Sequence, residues 1–211
     1  MLKRKDPRSR TGRCIRACEK KILENFEIDE NSQQNKIPKD NNNFEGKKSI
    51  DFKPKIEIFF KRVEKYLPFL KDYTFEIHTE NTFPHSSGIA SSASGMSALA
   101  LCIMSIEKEL NREMTDEYFN KKASFLARLG SGSACRSIEG ELIVWGKHNE
   151  IKASSNLFGV KFPYKIHKDF KNYHDTILLV DEGEKQVSST VGHKLMHNHP
   201  FAKQRFEQAN D

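Results

Sequence analysis

The segment from Pro84 to Gly95 reads PHSSGIASSASG, and its hydroxyls and small side chains could bind a bulky anion. Small residues let the backbone approach phosphate oxygens closely, and glycine permits positive φ. The segment joins a predicted strand to a predicted helix, whose first turn offers unpaired N–H groups and a partial positive charge. This pattern suits a nucleotide's phosphates, although it is neither a Walker A loop nor GxGxxG. A plain loop with an N-cap is the competing interpretation.

A second segment, Arg128 to Ser137, reads RLGSGSACRS and lies between a predicted helix and a predicted strand. It offers serine hydroxyls and Arg136, whose planar fork matches phosphate or carboxylate oxygens, so it could hold a diphosphate. The alternative is a glycine-capped turn in which the arginine pairs with Glu139 or Glu141.

A third segment, Lys185 to Gly192, reads KQVSSTVG and places hydroxyls just before a predicted helix. Such hydroxyls can seat an anion or simply cap the helix. Both interpretations remain open on the residues alone.

The elements that must position these segments follow from apolar spacing. Residues three and four apart predict a helix face that ends before Pro68: Ile56, Phe59, Phe60, Val63, Tyr66 and Leu67. Alternation predicts a strand through Tyr73, Phe75 and Ile77. A second helix buries Met96, Leu99, Ala100 and Ile103. A third begins at Thr115, buries Tyr118, Phe119, Ala123 and Leu126, and ends at Gly130.

Strands are predicted at 141–145 and 176–180, and a helix from Ser189 to the end of the sequence at Asp211. This order predicts an α+β or mixed fold. Residues 1–43 are polar, Asn-rich toward their end and without apolar periodicity, so we predict a disordered or non-homologous leader there. Ordered structure is predicted for 44–180, and a further domain is predicted to begin at 181–211.

Composition narrows the function classes. The net charge is +6, with 30% charged residues, but the 43-residue leader carries eleven basic against seven acidic side chains. The basic balance therefore reflects the leader more than the body and is only weak evidence for nucleic-acid binding, so no nucleic-acid partner is predicted. No apolar run approaches the ~20 residues of a membrane span. The four cysteines form no zinc pattern, and we predict reduced thiols in a cytoplasmic protein.

Two other features carry no predicted chemistry. Trp145, Gly146 and Lys147 follow the second segment, where a strand end is expected, and we assign them no catalytic role. His193, His197 and His199 lie on a polar predicted helix without a third ligand or an HExxH pattern, so surface histidines are predicted rather than a metal site.

All three segments resemble motifs of one family. Gly88-Ile-Ala-Ser-Ser-Ala-Ser94 resembles the phosphate-binding motif of the GHMP superfamily of small-molecule kinases, in the variant found in diphosphomevalonate decarboxylases. Gly130-Ser-Gly-Ser-Ala-Cys-Arg-Ser137 is similar to the substrate-diphosphate loop of that branch. The segment at Ser189 and Thr190 is similar to one near the reacting end of the substrate. The resemblance extends from Phe44 to Asp211 and keeps the family's order.

The resemblance implies a GHMP-type α+β fold, with a ribosomal-protein-S5-like N-terminal half and the start of a ferredoxin-like C-terminal half. It implies that the ATP phosphates bind Gly88, Ile89, Ala90, Ser91, Ser92, Ala93 and Ser94. It implies that diphosphomevalonate binds Ser131, Gly132, Ser133, Ala134, Cys135, Arg136, Ser189 and Thr190, with Ser133 and Arg136 foremost. ATP with Mg2+ is the implied cofactor, and full-length relatives are expected to be homodimers.

The implied reaction is ATP-dependent decarboxylation of diphosphomevalonate to isopentenyl diphosphate. ATP phosphorylates the tertiary 3-hydroxyl, and the new phosphate leaves as CO2 is lost. The family's early lysine motif has no counterpart in residues 1–43, and its catalytic Asp motif would lie beyond Asp211, so no catalytic residue is assigned and negligible turnover is expected. The alternatives are a GHMP small-molecule kinase and a phosphate-binding protein without turnover.

Overall fold

The structure is a computed structural model that describes residues 41–44, 47–48, 53–73, 75–79, 90–140, 142–172 and 189–209. Within these ranges the helices are α1 Lys53–Val63, α2 Ser91–Leu110, α3 Asp116–Gly130, α4 Ser189–Met196 and α5 Ala202–Gln208. The strands are β1 Asn41–Phe44, β2 Lys47–Lys48, β3 Glu76–Thr79, β4 Ile143–Val144 and β5 Val160–Lys161. The predicted α+β class is confirmed.

Two small sheets accompany the helices. In the first, β1 is central, antiparallel to β2 and parallel to β3, with Asn42 opposite Ile77. The second pairs β4 with β5 antiparallel. Strand β1 begins at Asn41, inside the segment treated as the leader. The rest of that segment and the strand predicted at 176–180 lie outside the described residues, so the domain boundaries stay predictions.

The core forms where α1, α2 and α3 pack together. Phe59 and Val63 of α1 are buried, as are Ile103 and Met104 of α2. Helix α3 contributes Leu126, which is fully buried. Burial of these large apolar side chains provides most of the driving force that fixes the three helices relative to one another. The three predicted helices are therefore confirmed.

Two predicted core positions are wrong. Tyr118 is 52% exposed, because Thr115 caps α3 and places Tyr118 in the exposed part of the first turn. Tyr66 is 36% exposed, because the α-helix ends at Val63 and a 3-10 turn, Glu64–Tyr66, follows. The tighter turn rotates Tyr66 off the buried face, and its ring meets Phe125 edge-on at 4.8 Å.

Other element bounds also differ. The strand predicted from Tyr73 starts only at Glu76, because a 3-10 turn at Pro68–Asp72 precedes it. Phe75 and Ile77 are buried as expected. Within the strand predicted at 141–145 the described strand is Ile143–Val144, and Glu141 lies outside the described residues. The terminal segment is two helices instead of one, since the chain turns between Met196 and Ala202.

Candidate polyphosphate site

The start of α2 carries the first predicted phosphate segment. Ala90 precedes the helix in the left-handed conformation, with φ 61° and ψ 37°, which a non-glycine residue adopts only at some cost. Its carbonyl accepts hydrogen bonds from the N–H groups of Ala93 at 3.0 Å and Ser94 at 3.2 Å. The chain therefore enters the helix through a sharp turn, and the first turn contains no acidic residue that would repel an anion.

The serines of this turn differ in environment. Ser91 is half-buried and Ser92 is exposed, whereas Ala93 packs into the core. The Oγ of Ser94 is buried and has no hydrogen-bond partner among the described residues. An unpaired buried hydroxyl is costly unless something else satisfies it. Gly88 and Ile89, the first two predicted phosphate-binding residues, lie outside the described residues.

The second segment forms a 3-10 helix, Gly132–Ser137, directly after α3. Ser131 links the two: its N–H donates to Ala127 O at 3.0 Å, and its carbonyl accepts from Ala134 N at 2.8 Å. Ala134 is fully buried and Cys135 nearly so. These two predicted substrate-binding residues therefore expose almost no surface to a ligand, while Ser131, Gly132, Ser133 and Arg136 reach the surface.

The structure brings the two segments together. The Oγ atoms of Ser92 and Ser131 lie 3.5 Å apart, although 39 positions separate them in the sequence. Helices α2 and α3 pack so closely here that a Cβ on Gly130 would lie 2.6 Å from Met96 Sδ. The hydroxyl-bearing ends of both segments therefore share one surface.

Ser133 and Arg136 are available to a ligand. Neither side chain has a hydrogen bond or ion pair with another described residue. The alternative that Arg136 pairs with Glu139 finds no support, because Glu139 instead lies 3.5 Å from Lys161 Nζ and accepts a hydrogen bond from Asn120 at 3.2 Å. Glu141 is outside the described residues.

The environment of Cys135 holds its thiol in the neutral form. Burial raises the pKa of the Cys135 thiol, against the smaller opposing influence of the Arg136 and Arg128 charges. The thiol donates to Gly132 O at 3.1 Å. Cys135 therefore stabilises the 3-10 turn and is not a reactive thiolate at neutral pH.

Trp145 covers one side of the 3-10 turn. Its indole ring lies so close to Gly132 that a Cβ there would be 3.1 Å from Cη2. The indole Nε1 donates to Asn156 O at 3.1 Å, which fixes the ring. The sequence assigned this residue no catalytic role. Its place beside Gly132 gives it a packing role in the turn, and Gly132 allows this close approach.

Two contributing residues were missed by sequence reasoning. Arg62 of α1 donates from Nη1 to Leu129 O at 2.8 Å, so it holds the end of α3 just before Ser131. Ser124 is buried under the 3-10 turn and bonds to Cys135 O. The sequence did carry a signal for Ser124, because it lies beside the apolar positions Ala123 and Leu126 of the predicted helix, where a serine hydroxyl is expected to be buried and hydrogen-bonded. No sequence pattern indicated Arg62.

The third predicted segment is described only in part. Ser189 and Thr190 are the first two residues of α4, in keeping with the predicted helix start, but their side chains lie outside the described part of the chain. The three histidines that follow are exposed. Among the described residues no group of three or more His, Cys, Asp or Glu side chains could hold a metal ion, and no described helix has the length and apolarity to cross a membrane.

The hydroxyls at the start of α2 and those of the serine-rich turn after α3 meet on one surface of an α+β domain, and the Arg136 guanidinium of that turn has no partner among the described residues. Residues 22–156 match the family described as the diphosphomevalonate decarboxylase-like N-terminal domain, and the chain belongs to that family.

Several known proteins are similar to this chain. The diphosphomevalonate decarboxylase of Ganoderma lucidum is 35% identical over 126 residues, which are 60% of this chain and 29% of that protein. The crystal structure of a mevalonate diphosphate decarboxylase from Legionella pneumophila has a TM-score of 0.51 and 26% identity, covering 81% of this chain and 50% of the other. A structure described as MDDEF in complex with MVAPP, AMPPCP and magnesium has a TM-score of 0.45 and 30% identity, covering 62% and 36%. The chain spans about a third of the length of the curated relatives that it matches.

Proposed function

We propose that this chain contributes the polyphosphate-binding part of an ATP-dependent decarboxylation of (R)-5-diphosphomevalonate to isopentenyl diphosphate. The start of α2 binds the phosphates of ATP, and the Gly132–Ser137 turn with Ser131 binds the diphosphate of the substrate. The observation that carries the proposal is the 3.5 Å approach of Ser92 Oγ to Ser131 Oγ. Ser133 and Arg136 follow in the same turn, and neither side chain has a partner among the described residues.

The residues at the start of α2 fit a nucleotide's phosphates. The first turn is free of acidic side chains, and the buried Ser94 Oγ has no partner among the described residues. Mg2+ would be carried by the phosphates themselves, where it supplies charge neutralisation for phosphoryl transfer. Ser91 and Ser92 would donate hydrogen bonds to phosphate oxygens together with the N–H groups of the first turn.

The substrate side depends on Arg136 and Ser133. The Arg136 guanidinium can form paired, charge-assisted hydrogen bonds to the terminal phosphate, and Ser133 adds a hydroxyl. Anchoring the diphosphate fixes the distant 3-hydroxyl and carboxylate relative to the ATP phosphates. Such positioning is worth several kcal/mol of barrier when the reacting groups are held in line. Ser189 and Thr190 are proposed to contact the reacting end.

Binding should be visible through Trp145. It is the only tryptophan of the chain and lies against Gly132 of the 3-10 turn. Titrating the 211-residue protein with diphosphomevalonate is therefore expected to change its tryptophan fluorescence saturably. Mg-ATP should bind as well, with a smaller fluorescence change because the indole lies against Gly132 of the turn that binds the substrate.

The control ligand is mevalonate without its diphosphate, which should leave the fluorescence unchanged. If calorimetry detects no saturable binding of diphosphomevalonate to the folded protein, the proposal is wrong. Formation of ADP without CO2 in the presence of substrate would instead identify a small-molecule kinase. A cytoplasmic location and a homodimeric assembly of the full-length protein remain predictions from the resemblance.

A further inference from the structure

Ser124 connects the diphosphate-binding turn to a distant part of the chain. It lies on α3 and is 1% exposed. Its hydroxyl donates to Cys135 O at 2.7 Å and accepts from Gly159 N at 2.9 Å. Because one hydroxyl satisfies two buried backbone groups, its loss would leave both of them unpaired.

The packing around Gly159 makes this connection tight. A Cβ on Gly159 would lie 2.6 Å from Ile143 Cγ2 and 2.9 Å from Cys135 O. The backbone at 159 therefore lies directly against the backbone of the 3-10 turn. Arg128 Nε donates to Leu157 O at 2.9 Å and so gives the same segment a second hydrogen bond to α3.

We infer that Ser124 is the positioning residue of the diphosphate-binding turn. It contacts no ligand; it fixes the carbonyl of Cys135, and with it the backbone that aims Ser133 and Arg136. The inference rests on the proposed function, because it assumes that the turn binds a diphosphate. Binding groups that are misplaced by even about 1 Å lose much of their effect, so one buried hydroxyl can control affinity from beneath the site.

A purely structural hydrogen bond would behave differently. Its loss would lower stability, and the affinities for both ligands would then fall together with the folded fraction. A positioning role predicts selective loss: diphosphomevalonate binding weakens while Mg-ATP binding at α2 is kept. Comparison of the two ligands therefore separates the roles.

The test compares Ser124→Ala with Ser105→Ala, both in the 211-residue protein. Ser105 is a matched control, since its hydroxyl is partly buried and donates to Leu101 O at 3.0 Å within α2, away from the turn. For Ser124→Ala we expect affinity for diphosphomevalonate to fall by about tenfold or more, with Mg-ATP affinity unchanged within twofold. Ser105→Ala should leave both affinities unchanged. If the Ser124→Ala protein binds diphosphomevalonate as tightly as the parent does, the inference is overturned.

A second readout needs no ligand. Loosening the turn should expose the Cys135 thiol, remove the burial that raises its pKa and leave it beside Arg136. Alkylation of Cys135, followed by mass spectrometry with buried Cys102 as the internal reference, should therefore accelerate several-fold in Ser124→Ala and not in Ser105→Ala. If the parent binds no diphosphomevalonate, the proposed function is wrong, and the role of Ser124 is then tested by alkylation alone. Equal rates of Cys135 alkylation in the parent and in Ser124→Ala would overturn that role.

Should Ser124→Ala fail to fold, the parent protein provides the test. Binding energy that depends on the Ser124 connection must in turn stabilise that connection. Saturating diphosphomevalonate is therefore expected to slow hydrogen exchange of the Gly159 amide at least threefold, although Gly159 is buried and is not among the proposed ligand-binding residues. An unchanged exchange rate for this amide in the saturated complex overturns the inference.

Discussion

Replacing Ser92 by aspartate is expected to lower the affinity for Mg-ATP by about a thousandfold while leaving the fold intact or slightly more stable. A carboxylate about 4 Å from a phosphate charge costs roughly 4 kcal/mol at an effective dielectric constant of about 20. The same carboxylate in the first turn of α2 interacts favourably with the helix dipole, by about 0.3–1 kcal/mol. Ser92 is exposed, so no buried contact is lost.

The opposite signs of the two effects make the result easy to interpret. Calorimetric titration with Mg-ATP gives the affinity, and thermal unfolding gives the stability. Ser92→Asn is the control, because asparagine has nearly the same shape as aspartate but carries no charge. This variant should lose less than tenfold in affinity for Mg-ATP. An aspartate variant that binds Mg-ATP as tightly as the parent would show that the nucleotide phosphates do not approach the start of α2.

Replacing Arg136 by glutamine is expected to weaken diphosphomevalonate binding by about a hundredfold. A charge-assisted hydrogen bond contributes ~1.5–3 kcal/mol, and the arginine fork can make two of them. Because the side chain is exposed and unpaired with other described residues, its replacement should leave thermal stability unchanged. Fluorescence of Trp145 follows the titration.

Two controls separate specific recognition from general charge. Arg136→Lys keeps the charge but loses the planar fork of the guanidinium. Its affinity for diphosphomevalonate is therefore expected to lie between those of the parent and Arg136→Gln. Arg112→Gln removes an exposed charge in the turn between α2 and α3 and should bind like the parent. Equal weakening by Arg112→Gln and Arg136→Gln would mean that only net charge attracts the substrate.

The three central helices could be predicted because their apolar residues recur on one face. Thr115 and Gly130 mark the limits of α3 in the sequence, and the structure agrees, with Thr115 Oγ1 accepting from Tyr118 N at 3.2 Å. The predictions of buried positions fail where the backbone changes from an α-helix to another helical pitch. Tyr66 continues the apolar spacing but falls in a 3-10 turn, where an α-helical period no longer applies.

The site itself was predictable as a set of segments but not as an arrangement. The motifs named Ser92 and Ser131 separately, and only the packing of α2 on α3 brings their hydroxyls together. The sequence could not show that Ala134 and Cys135 turn inward, because the 3-10 turn decides which side chains face the core. Arg62 reaches Leu129 O across 67 positions, a contact that one sequence cannot reveal.

The central claim is that the start of α2 and the turn after α3 bind neighbouring polyphosphates. Hydrogen–deuterium exchange of the 211-residue protein, read by mass spectrometry with and without diphosphomevalonate plus a non-hydrolysable ATP analogue, tests it most directly. We expect slower exchange in peptides covering 90–95 and 131–137, and unchanged exchange in the α1 residues 53–63. Saturated binding of both ligands without slower exchange in either peptide would contradict the claim.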